Sequence, residues 1–286
     1  MSKLDQFESV FKSAAKETYT FSDVCIRKIS LFTDLEAEAS RRFLADLKEF
    51  LSAISAGDEC EWDHFYGARY QDVGDLLEVV EEQRPDLICA YRNIHGRARS
   101  YPFSLGAHVD VLTQATTTPV LLLPPPTEQG RLSPRCRDTN EVMVLTDHLT
   151  GSDNLINYAV RFTEQGGKLV LAHIEDDATF ERYIGIIGKI PSIDTDDARE
   201  RIRTQLLKEP RDYILSVIGE LVSCVSGLTV EKEISMGHRV ADCQALIDQH
   251  EIDMVVINTK DEDQLAMHGL AYPLTVELRR VPLLLL

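Results

Sequence analysis

This 286-residue chain has no Cys-x-x-Cys pair, no surplus of positive charge and no apolar run near the ~20 residues that a bilayer span needs. Each lack removes a class of protein. The six cysteines (25, 60, 89, 136, 224 and 243) are scattered, so they read as separate thiols of a reducing compartment rather than a disulfide framework. The longest apolar stretches, such as 281–286 (VPLLLL), are too short to cross a membrane. Residues 1–6 carry no charged-then-apolar leader, so a cytoplasmic location is expected. Basic side chains number 30 against 47 acidic ones, a net charge of −17. Residues 1–138 carry 16 basic and 22 acidic groups, and the remainder 14 and 25, so both parts repel a polyanion and nucleic-acid binding is not expected. No Ser-His-Asp order, nucleophile elbow or paired catalytic carboxylate is legible, so catalysis is not expected either.

What is present suits a globular core. Hydrophobic residues make up 44% and charged residues 27%, in a length that holds one large domain or two ordinary ones. The second half is the clearer. Residues 140–146 (NEVMVLT) and 168–174 (KLVLAHI) are short apolar runs of the kind that form buried parallel strands. Between them Ser152 is placed to cap a helix whose Leu155, Tyr158, Ala159 and Phe162 recur at helical spacing, until Gly166-Gly167 stops it. The pattern is mostly helical over 177–225, with breaks expected near Pro191 and Pro210. A strand at 229–235 (TVEKEIS), a helix marked by Val240, Cys243, Leu246 and Ile247, a strand at 253–257 (DMVVI), a helix over 271–280 and a last strand at 281–286 complete the order. Such alternation predicts an α/β, doubly wound parallel sheet.

The first half repeats the end of that scheme. A strand at 60–66, a helix over 72–83, a strand at 86–90 (DLICA), a helix over 106–114 and a strand at 120–123 follow one another. DLICAYRN parallels DMVVINTK, and TTTPVLLLP parallels LRRVPLLLL; Gly106 to Pro119 and Gly269 to Pro282 are both 13 residues. This is the mark of internal duplication. It predicts an abbreviated domain over 1–126, a linker over 127–138 opened by the proline run 124–126, and a second domain over 139–286. How the first copy is shortened has two readings. In one, 29–34 (ISLFTD) matches 142–147 (VMVLTD), a strand and a helix are missing further on, and residues 4–18 add an amphipathic helix with Phe7, Val10, Phe11 and Ala14 on its apolar face. In the other, the helix at 36–54 matches the later one at 210–225 and the first strand is lost.

On the strands ending Thr-Asp, the strands opening Asp-Leu-Ile or its like, and the His-Gly-Arg loop before a Gly-headed helix, the chain resembles a tandem universal stress protein over nearly its whole length. The resemblance implies Rossmann-like domains with helices on both faces of a parallel sheet, and a role in stress response. Members that bind ATP carry G-x2-G-x9-G-[S/T] after the fourth strand, where glycines admit the phosphates and the last pair opens a helix. Here the motif is degenerate. Asn93 stands at the first glycine, Gly96 and Gly106 keep the x9 spacing, and Ala107 replaces the hydroxyl residue. In the second copy Asn258 stands at the first glycine, Asp261 at the second, and Gly269 arrives two residues early, beside the acidic run 261–263; phosphate binding is not expected there. In the first copy His95 adjoins Gly96, and Arg92, Arg97 and Arg99 form a cationic stretch that could hold phosphates of ATP or another adenine nucleotide, or could simply line a solvated loop. Asp34 and Asp147 end their strands where ATP-binding members contact adenine, and each could instead cap the next helix.

Cys60 and His64 share one face of a strand, but no further ligands complete a metal site, so none is expected. The apolar last strands need cover. The resemblance implies that the two domains pair with each other through them, that a homodimer of tandems could follow, and that the output runs through a protein partner the sequence does not name.

Overall fold

The computed structural model describes residues 18–55, 60–96, 103–145, 153–259 and 271–286. Within them the apolar runs form strands β1 (Lys28–Thr33), β2 (Glu61–Tyr66), β3 (Leu87–Tyr91), β4 (Val120–Leu123), β5 (Glu141–Leu145), β6 (Lys168–Asp176), β7 (Thr229–Gly237), β8 (Met254–Ile257) and β9 (Leu283–Leu285). Helices alternate with them: α1 (Ala37–Phe50), α2 (Ser52–Ser55), α3 (Val73–Gln83), α4 (Ala107–Ala115), α5 (Asp153–Phe162), α6 (Asp177–Ile187), α7 (Thr195–Cys224), α8 (Arg239–Gln249) and α9 (Ala271–Glu277). The described strands make one sheet in the order β2-β1-β3-β4-β9-β8-β5-β6-β7.

Every neighbouring pair is parallel except β4 and β9. The sheet is therefore two doubly wound α/β halves joined antiparallel at one seam. Val120 faces Leu285, Leu121 faces Leu284 and Leu122 faces Leu283. All six are 2% exposed or less. Pairing satisfies the backbone groups that each last strand would otherwise leave bare at an edge.

The halves repeat in register as well as in order. Ile88 N–H donates to the Pro119 carbonyl at 2.9 Å, as Val255 N–H does to Pro282 at 3.0 Å. β1 lies between β2 and β3, as β5 lies between β6 and β8. The strand at 29–33 is thus the counterpart of β5, which favours the reading that keeps it. What lacks a counterpart among the described residues is β7 with its preceding helices, so β2 stands at the sheet edge. The helix expected over 4–18 lies almost wholly outside the described residues.

One local expectation changes. α7 runs through Pro210 instead of breaking there. Buried Tyr213, Ile214, Val217 and Leu221 hold the C-terminal part of the helix in line, which offsets the one backbone bond a proline cannot make. The segment before β1 also reaches across to the second half. Tyr19 donates its hydroxyl to Asn157 Oδ1 at 2.7 Å, and Asn157 Nδ2 donates to Ser22 Oγ at 2.9 Å. The stretch after the proline run packs on α1: Arg131 forks onto both oxygens of Asp46 at 2.7 and 2.6 Å.

The seam generates one prediction. Replacing Leu284 with Ala removes a fully buried side chain from between the halves and should cost about 2–5 kcal/mol in urea-induced unfolding. An unchanged midpoint would mean that the seam does not carry the fold.

Asp253, just before β8, generates another. It is half-buried, and its Oδ2 accepts the Glu141 N–H at 2.9 Å. Burial, then the nearby Asp138 and Glu141 carboxylates, outweigh that bond and raise its pKa well above the ordinary carboxylate range. The native state therefore keeps a proton that the unfolded chain has released, so stability falls as pH rises from about 4 through the raised value. Asp253→Asn keeps the acceptor and stays neutral. Thermal melts should show the variant more stable than wild type at pH 8 and nearly equal at pH 4; parallel curves would contradict this.

Candidate functional site

In a doubly wound sheet ligands gather at the carboxyl ends of the strands. In the first half that place is the end of β1 and the loop from β3 to α4. Asp34 follows β1 and is tied to β3 by a reciprocal pair of bonds. Its N–H donates to Tyr91 Oη at 3.0 Å, and the Tyr91 hydroxyl donates back to Asp34 Oδ1. The other carboxylate oxygen accepts the His95 N–H at 2.8 Å. Tyr91 is buried, and burial together with the Asp34 carboxylate pushes its phenol above the usual tyrosine range.

Asn93 forms the base of the loop. Its N–H donates to the Leu105 carbonyl at 2.7 Å, its Nδ2 to the Ser104 carbonyl at 3.0 Å, and its own carbonyl accepts the Gly96 N–H at 2.8 Å. Its φ of 58° is left-handed, a conformation asparagine tolerates better than most residues. So Asn93 supplies the backbone a glycine would, and its side chain ties the loop rather than obstructing it. Gly106 closes the loop at φ 87°, where an added Cβ would lie 2.8 Å from Asn93 Cα. Ala107 opens α4 without a hydroxyl. Ser104 Oγ accepts the Gly106 N–H at 3.1 Å instead.

Three rings gather beside this loop, and none was singled out from the sequence for this role except His95. Tyr70 is fully buried and meets Phe32 edge-on at 5.4 Å, His95 at 5.0 Å and His108 at 6.1 Å. His95 also takes a left-handed backbone, φ 55°. His108 is buried and bonds the Ile94 backbone; burial first, then His95, lower its pKa below the ordinary histidine value. No spacing rule marks Tyr70, Tyr91 or His108, because they come from separate segments and meet only in the folded sheet.

Of the other expected residues, Arg97, Arg99, Asp147 and Gly269 lie outside the described residues. Asn258 is described, exposed, and does not take the left-handed backbone of Asn93. Val255 pairs with Leu283 where Ile88 pairs with Val120. That register sets Asn258 level with Tyr91, not with Asn93, so the two asparagines are not equivalent. His64 and Cys60 are occupied elsewhere: His64 Nε2 lies 2.6 Å from Ser40 Oγ, and Cys60 Sγ donates to the Ile26 carbonyl at 3.1 Å. Among the described residues no group of three His, Cys, Asp or Glu side chains could hold a metal, and no helix is long and apolar enough to cross a membrane.

Gly106 tests this account of the loop. Gly106→Ala meets both a left-handed φ and the Asn93 backbone, so a loss of more than ~1 kcal/mol is expected in chemical denaturation. A neutral substitution would show that the Asn93–Gly106 contact does not shape the loop.

No protein-family model matches the chain, and no curated protein matches it in sequence. Solved structures do match. A candidate universal stress protein from Pseudomonas aeruginosa UCBPP-PA14 aligns at 12% identity over 91% of this chain and 93% of its own, with a TM-score of 0.50. A universal stress protein from Archaeoglobus fulgidus DSM 4304 aligns at 15% identity over 91% and 85%, TM-score 0.47. A protein described as functionally unknown, from Pseudomonas aeruginosa PAO1, aligns at 12% over 100% and 88%, TM-score 0.48. At such identities the likeness is one of fold: the chain has the α/β, Rossmann-like architecture seen in universal stress protein-like structures.

Proposed function

We propose that this is a non-catalytic, cytoplasmic regulatory protein of the universal stress protein type, acting through protein contacts rather than through a bound nucleotide. The observation that carries the reading is the state of Asp34. In ATP-binding members of that family the aspartate at this strand end contacts adenine. Here each of its carboxylate oxygens already accepts a bond from Tyr91 or His95 within the same half. These bonds turn the carboxylate toward β3 and its loop and take about half of its acceptor capacity, which weakens it as an adenine contact. The second half offers a surface for contacts instead: Tyr183 and Ile186 on α6, Ile190 and Ile193 in the turn after it, and Leu206 on α7 are all exposed apolar side chains.

A second reading has one observation in its favour. Gly96-x9-Gly106 persists, and Gly106 takes the turn that heads α4. On this reading the first half alone senses ATP or AMP, with Arg97 or Arg99 on the phosphates. The two readings separate cleanly by mass spectrometry of the denatured, freshly purified chain, followed by calorimetry with Mg-ATP. No stoichiometric nucleotide is expected, and no saturable heat with Mg-ATP beyond that given by inorganic triphosphate, which lacks the adenine. A copurifying adenine nucleotide near one per chain would overturn the first reading in favour of the second.

A further inference from the structure

Where the loop after β3 meets the second half, a cleft of about 470 Å³ opens at the seam. It is lined from the first half by Arg92, from the stretch after β4 by Arg135, and from the turn leading into β9 by Arg279 and Arg280. Asp248 and Glu277 are its acidic members. Four guanidiniums against two carboxylates is a local reversal in a chain of net −17.

We propose that this cleft binds a phosphate-class dianion, with Arg92 as its buried anchor and Arg135, Arg279 and Arg280 completing the cationic wall. Arg92 is only 4% exposed. Its Nη2 donates to the Leu278 carbonyl across the seam at 3.0 Å, which fixes the fork, while its buried Nη1 meets no protein acceptor among the described residues. A buried charge with an unused donor is costly unless an acceptor reaches it. The neighbouring charge that bears on it is Arg279, of the same sign. Burial, then Arg279, pulls the Arg92 pKa down to about 10. Arg279 stacks on the Phe103 ring at 4.6 Å, which holds its guanidinium at the cleft wall, and an anion bound between it and Arg92 would screen their repulsion. Planar guanidinium forks match the oxygens of a phosphate, and two of them match a doubly charged one. Asp248 and Glu277 are exposed, so they sit in water while Arg92 does not. Asn93, at the base of the Asp34 loop, also lines the cleft, but the arginines that would hold the anion come from both halves and none of them bonds Asp34.

The chemistry is shared by inorganic phosphate and by phosphate monoesters, and the volume leaves room for the latter. The test is calorimetry and thermal shift on the full chain with inorganic phosphate and with glycerol phosphate, at fixed ionic strength made up with chloride. Saturable binding with a raised melting temperature is expected for at least one probe. Tighter binding of the ester by tenfold or more assigns the site to a phosphorylated metabolite, and the reverse assigns it to free phosphate. Arg92→Gln should abolish the response. Because that buried substitution can also impair folding, the exposed Arg280→Glu is the companion: it should leave the unliganded melting temperature unchanged and weaken binding about tenfold or more. No saturable response to either anion, or an Arg280→Glu chain that binds as wild type does, overturns the proposal.

Discussion

Three residue pairs between β4 and β9 set the geometry on which everything else rests. Parallel strands joined by helical crossovers are buried on both faces, so Val120–Leu123 and Leu283–Leu285 are apolar throughout. Left unpaired, each would be an aggregation edge. Pairing them in parallel would give one continuous winding. Pairing them antiparallel instead turns the halves head to tail about the seam. The strand ends that carry functional loops in one half then lie beside the strand starts of the other. That is why Arg92, at the carboxyl end of β3, can bond Leu278 at the approach to β9.

The two halves use their outer edges differently. The second half extends past β6 to β7, backed by the long α7 and by α6. The first stops at β2, whose outer side is protected by polarity rather than by another described strand. Its residues are half-buried or exposed, and Lys28 from β1 reaches Asp63 at 3.0 Å. Charge on an edge strand discourages further pairing. The half that ends at β2 carries the tied loop after β3, and the half that extends to β7 carries the exposed apolar residues of α6 and α7.

The strands were legible in the sequence because buried parallel strands are short, apolar and β-branched, and the seam was legible because Pro119 and Pro282 begin matching runs. The loop was less so. Asn93 reads as a lost glycine, yet the structural requirement was a left-handed backbone, which asparagine meets at φ 58°. Asn258 shows the opposite failure. Aligning by glycine motif put it level with Asn93, whereas the ungapped match of DLICAYRN to DMVVINTK, which the strand register follows, puts it level with Tyr91. Pro210 misled because a local rule met a buried helix face. The bonds from Tyr91 and His95 to Asp34 span 57 and 61 residues, and no local pattern encodes a contact of that range.

Asn93 links the two regions where chemistry concentrates. Its left-handed turn separates Arg92, directed across the seam to Leu278, from His95, whose N–H is directed back to Asp34. Three bonds hold that turn, to Leu105, Ser104 and Gly96, and Gly106 fits against it with no room for a side chain. The left-handed turn at Asn93 and His95 thus sets one donor on the Asp34 carboxylate within its own half and delivers a buried guanidinium to the other. If the turn opened, Asp34 would lose its His95 donor and Arg92 would lose its fixed position in the same event.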